Sequence, residues 1–110
     1  MEIMVKDIEK YGRNTTITKK GAIVRIENLA FHFVVSPFVV YPKQIIALDK
    51  NEVLFDINNQ IDNFFATENQ RMAFIQEVVA TLSSKDTENC FAFTCLKALK
   101  ILNLNREHNK

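Results

Sequence analysis

The chain has 110 residues and a mass of 12.7 kDa, enough for one ordinary hydrophobic core and too little for two. With 47% hydrophobic residues, 25% charged residues and a formal net charge of +1, the composition excludes a disordered, highly charged chain. A membrane-crossing helix is excluded as well: the longest strongly apolar stretch, Ala30 to Tyr41, spans 12 residues and contains His32 and Pro37, against the ~20 residues a bilayer requires.

The first eleven residues fit a short strand on Ile3 and Val5 as well as a frayed helix on Ile3, Met4 and Ile8. Glu2, Asp7 and Glu9 interrupt the basic start and apolar run of a secretory signal, so a cytoplasmic chain is expected. The β-branched run Thr15 to Thr18, turning through Lys19, Lys20 and Gly21 into AIVRIE, predicts a hairpin. Val24 and Ile26 alternate there with Arg25 and Glu27, the period-two pattern of a strand with one dry face. After a bulge or turn at Asn28, LAFHFVVS puts Leu29, Phe31, Phe33 and Val35 on one face and Ala30, His32 and Val34 on the other. Both faces are mostly apolar, so this strand is either central and covered twice or covered on one side by a partner chain.

Pro37 and Pro42 bracket FVVY, which assigns that piece to a sheet edge or an extended connection, because proline donates nothing to a ladder. QIIALD and EVLFDI read as two strands joined at Asp49, Lys50 and Asn51. Asn58 and Asn59 offer another turn into IDNFFA, read as strand in preference to a helical turn over residues 58–66.

Thr67 and Gln70 have capping-box spacing and predict a helix start. Its inward face reads Met72, Ile75, Val79 and Leu82, flanked by Phe74 and Val78. Residues 83–86 break the pattern, and Asp86 or Thr87 caps a second helix with Phe91, Cys95, Ala98 and Leu102 inward. Residues 105–110 are expected as a disordered tail, leaving one domain over 1–104. The expected class is α+β: an antiparallel β-meander of about five strands followed by two C-terminal helices packed on the sheet.

The residues that carry chemistry are sparse. Cys90 and Cys95 lie about 140° apart around a helix, so they cannot pair within it and read as buried free thiols. His32 has no serine, cysteine or carboxylate at a spacing that marks a general base, and reads as a core or interface histidine. Asp49, Glu52, Asp56 and Asp62 lack calcium-loop spacing and read as solvated turn residues. The two glycines stand alone at positions 12 and 21, which excludes glycine-rich phosphate loops. No metal, small-molecule cofactor or enzymatic activity is expected.

Nine Phe and two Tyr are more than two helices can cover on a sheet. The leading expectation is therefore a non-enzymatic protein-interaction domain, a homodimer that acts by binding another protein through Phe31, Phe33, Phe38 and Val40. Eleven Asn, eleven Ile and ten Lys against four Arg indicate an AT-rich coding source, a low-GC bacterium or phage. One concrete form is then a phage- or mobile-element-encoded inhibitor of a host machine such as a nuclease complex. The alternative is a nucleic-acid-binding accessory protein. It would use Lys10, Arg13, Lys19, Lys20 and Arg25, with the Tyr11 ring for stacking, in a segment free of acidic residues. A pI near 7.8 weighs against it.

Overall fold

A computed structural model describes residues 3–108, with side chains as far as Lys100. The elements in chain order are α1 (Val5–Arg13), β1 (Thr15–Ile17), β2 (Gly21–Ile26), β3 (Leu29–Val35), β4 (Val40–Ala47), β5 (Glu52–Asp56), β6 (Ile61–Asp62), α2 (Glu68–Thr81) and α3 (Glu88–His108). Each strand pairs antiparallel with the next, in the sheet order β1-β2-β3-β4-β5-β6. The α+β meander with two C-terminal helices is the expected architecture, with the strand expected at IDNFFA reduced to the two-residue β6 and with α1 added.

Turn chemistry explains the meander. With so few glycines, the β2–β3, β4–β5 and β5–β6 turns reverse through Glu27, Asn51 and Gln60, each at positive φ (53°, 49° and 56°). Glu27 is held there by more than its backbone, since its carboxylate accepts a 2.5 Å hydrogen bond from the Tyr11 hydroxyl. Both outer strands are short, three residues in β1 and two in β6, so the sheet offers little free ladder for another strand.

The helices cover one face. Val24, Ile26, Phe31, Phe33, Val35, Val40, Ile45 and Phe55 point from the sheet into a core closed by Tyr11, Phe74, Val78, Leu82, Phe91, Cys95 and Ala98. Aromatic rings meet edge to face across that layer, Phe33 on Phe91 at 5.4 Å and Phe31 on Phe74 at 6.4 Å between centroids. The cross-strand pairs Ile23–His32, Val34–Tyr41 and Ala30–Ile46 fall on the opposite face.

Several local expectations change. Residues 5–13 are helical, because Ile8 and Tyr11 lie three apart and Tyr11 with Gly12 docks α1 against α3 and β2. Met72 and Val79 of α2 are exposed; the buried seam is Phe74 and Val78, four apart, so the helix is rotated from the expected face. Its start matches: Gln70 N donates to Thr67 Oγ1 at 3.2 Å, while Gln70 Oε1 accepts from Thr67 N. α3 runs on through residues 105–108, expected as tail, since no glycine or proline stops the helix after Leu104; residues 109–110 lie outside the described residues.

Phe38 and Val39 of FVVY lie in the β3–β4 connection, whereas Val40 and Tyr41 open β4, which lies between β3 and β5 and not at the rim of the sheet. Yet β5 pairs only with Gln44 to Ala47, so Val40 to Pro42 is bonded to β3 alone. Lys43 is an extra residue in β4 there, a bulge between Pro42 and Gln44. Proline is tolerated at a bulged, one-sided stretch of this kind.

Candidate functional site

Of the three hairpin turns at one end of the sheet, β1–β2 and β3–β4 are built alike. In Thr18-Lys19-Lys20-Gly21, the Thr18 hydroxyl donates to Gly21 O at 3.1 Å and accepts from the amides of Lys20 and Gly21. In Ser36-Pro37-Phe38-Val39, the Ser36 hydroxyl donates to Val39 O at 3.0 Å and accepts from the amides of Phe38 and Val39. Backbone bonds close both turns, Thr18 N to Gly21 O at 2.8 Å and Ser36 N to Val39 O at 3.0 Å. A third, Val35 N to Lys20 O at 3.3 Å, ties one turn to the other.

These turns hold opposite chemistries side by side. The first displays Lys19 and Lys20, both exposed. The second displays Phe38, 96% exposed, with Val39 partly open beside it. Leaving a phenylalanine in water forgoes roughly 1.5–3 kcal/mol of burial, and the proline and the serine bonds restrict the turn that carries it.

Beyond the turns lies the uncovered sheet face. Val34 and Tyr41 form its first row, and Ile23, His32 and Gln44 the next; all five are half-buried. Arg25 and Lys43 are exposed on either side of His32. Burial, with the positive charges of Lys43 and Arg25, holds the His32 imidazolium below its usual pKa, so the ring is neutral at pH 7. Lys19, Lys20, Arg25 and Lys43 have no ion-pair partner among the described residues.

Of the interface residues expected from sequence, only Phe38 is accessible. Phe31, Phe33 and Val40 are 1%, 3% and 0% exposed. They correct that expectation: the helices take the bulkier Phe31/Phe33/Val35 face of β3 and leave the Ala30/His32/Val34 face open, since large rings bury more apolar area.

The basic set does not converge either. Lys10 and Arg13 project from α1, which packs on the helix-covered side, whereas Arg25 is on the open face. Tyr11 is buried, its hydroxyl bonded to Glu27, so its ring offers no stacking surface to a base. Lys19 and Lys20 instead join Phe38, a pairing that the β-meander register creates and that no local motif signals.

Other expected groups are structural. Asp56 is buried rather than solvated, accepting from Gln44 Nε2 and Asn59 Nδ2 at 2.8 Å and from the amides of Asn58 and Asn59. These bonds, the Gln44 and Asn59 side chains foremost, hold its carboxyl down at about 2. Asp62 accepts from the amides of Phe64 and Phe65, closing the bend after β6. Cys95 is buried as expected, but Cys90 is exposed, because the inward stripe of α3 passes through Phe91 and Cys95.

A cavity of about 160 Å³ between α2 and α3 is lined by Phe65, Phe74 and Ala98 together with Glu77 and Lys97. Those two charges bond each other at 2.6 Å. Among the described residues no three His, Cys, Asp or Glu side chains gather as a metal site, and no helix is long and apolar enough to cross a membrane.

Comparison with protein-family models, curated proteins and solved structures finds no match to the chain.

Proposed function

We propose that this chain is a protein-interaction domain without catalytic activity, docking through its twin turns and the adjoining open sheet face. The carrying observation is Phe38: an aromatic ring 96% exposed on a turn restrained by the Ser36 hydroxyl. Anchors of this kind concentrate binding energy when they enter a pocket, because little conformational freedom is left to lose. The flanking half-buried residues Val34, Tyr41 and Ile23 supply the surrounding apolar contact. An inhibitor of a larger cytoplasmic assembly, encoded by a phage or mobile element, is the concrete form of this reading. Its support is the AT-rich residue usage together with the absence of any catalytic motif in the sequence.

The test is a photo-cross-linking amino acid placed at position 38 of the full chain in its native cell. A discrete protein adduct is expected there, with none when the same group replaces Met72, which is 42% exposed on α2. No adduct at position 38, or identical adducts at both positions, would refute the reading.

A further inference from the structure

Charge is distributed along the chain in a way that bears on what this surface meets. From Lys10 to Leu48 the sequence holds six cations, Lys10, Arg13, Lys19, Lys20, Arg25 and Lys43, and one acidic residue, Glu27. That one lies in the β2–β3 turn, at the opposite end of these strands from Phe38, where it accepts from the Tyr11 hydroxyl. Strands β1 to β4 and the two turns at their Phe38 end therefore contain no free carboxylate, while four unpaired cations, Lys19, Lys20, Arg25 and Lys43, are exposed there.

We infer that the partner presents an acidic surface around an apolar pocket, with Phe38 entering the pocket and Lys19, Lys20, Arg25 and Lys43 facing carboxylates at its rim. This rests on the docking reading above and specifies its partner. Complementary potentials of this kind favour encounter and exclude like-charged surfaces. A second copy docking by the same face is disfavoured: Arg25 and Lys43 flank His32 on its two neighbouring strands, so a two-fold axis near His32 sets cations against cations. Burial first, and then the charges of Lys43 and Arg25, lower the pKa of His32 between them. Nucleic acid fits less well: the Tyr41 ring on this surface is half-buried, and around it Ile23, Val34 and Ile46 are aliphatic, so Phe38 alone is left fully open for a base to stack on.

Isotope-labelled full chain is titrated with a random copolymer of glutamate and tyrosine, with a 20-mer of thymidylate and with phosphatidylserine vesicles, at matched charge. The copolymer should bind most tightly and shift the amides of Lys19, Lys20, Val34, Phe38 and Tyr41. The K19E/K20E double variant should weaken it about tenfold, and its otherwise unchanged amide spectrum would show that the fold is kept. Tighter binding of the oligonucleotide or the vesicles at these residues would overturn the inference in favour of a nucleic acid or a lipid surface. Shifts elsewhere, or none, would overturn it too. If position 38 cross-links a protein whose affinity K19E/K20E leaves within twofold, the acidic-partner inference fails alone and the docking reading stands.

Discussion

Two phenylalanines five residues apart should respond to truncation in opposite ways. Phe33 is 3% exposed, with its ring edge to face on Phe91 at 5.4 Å, and it fastens the middle of β3 to α3. Phe33→Ala removes a buried ring and leaves a gap that the interlocked rings fill only in part, at about 3–5 kcal/mol. A domain of this size has about 5–15 kcal/mol in all, so the variant loses a large share of its stability. With an unfolding entropy near 2.1 cal/mol/K per residue, that is a fall in Tm of about 13–22 °C. Phe38→Ala removes a ring that is 96% exposed and should move stability by less than about 0.5 kcal/mol. Thermal unfolding followed by circular dichroism measures both. A Phe33→Ala protein melting within about 3 °C of the parent would mean that the helices do not rest on the Phe31/Phe33 face, and the assignment of the open face would fall with it.

Thr67→Ala removes one half of the capping box and should cost about 1 kcal/mol, or roughly 4 °C in Tm; an unchanged Tm would show that the α2 start is held by packing alone. Under native conditions a thiol reagent should titrate one cysteine, Cys90, and a second only after denaturation, because burial raises the Cys95 thiol well above its usual pKa. Two fast thiols in the folded protein would contradict the inward stripe of α3. Tyr11, bonded to Glu27, has its pKa pushed up to about 12 from 10.0, so its contribution is complete below the unfolded value and is lost as pH rises between the two. Tyr11→Phe should flatten that alkaline fall in urea titrations. Asp56 runs the other way: its folded pKa of about 2 lies below the unfolded 3.8, giving stability that is present above the higher value and lost as pH falls toward the lower. Asp56→Asn should remove that acid limb. The lowered pKa of His32 likewise gives stability that is full above 6.5 and declines below it, a slope that His32→Gln should abolish.

The order of strands was legible because each turn carries its own chemistry, Lys19 to Gly21, Asp49 to Asn51, Asn58 and Asn59 among them. The helix starts were legible for the same local reason, Thr67 with Gln70 above all. Facing was not. Leu29 to Val35 alternates apolar residues on both sides, and only the volume of Phe31 and Phe33 against Ala30 and Val34, felt when α2 and α3 dock, decides which side goes inward. From the pattern alone Phe31, Phe33 and Val40 are free to meet a partner, and it is the chain's own helices that cover them. α1 was ambiguous because its docking residues, Tyr11 and Gly12, find their support in Glu27 and in α3, far along the chain. The meeting of Lys19 and Lys20 with Phe38 depends on the β2–β3 register, which pairs Gly21 with Val34, and nothing local to either turn encodes it.

The one-sided cover of the sheet also governs how the chain is made. All six strands have been synthesised by Asp62, yet the rings of Phe31 and Phe33 meet Phe74 and Phe91 only when residues 68–100 follow. At ribosomal speeds of about 5–20 residues per second, those rings wait roughly 2–8 seconds, far longer than a hairpin needs to form. The nascent meander is thus a greasy plate in search of a lid, and a chaperone that holds it through that interval would set the yield of soluble product.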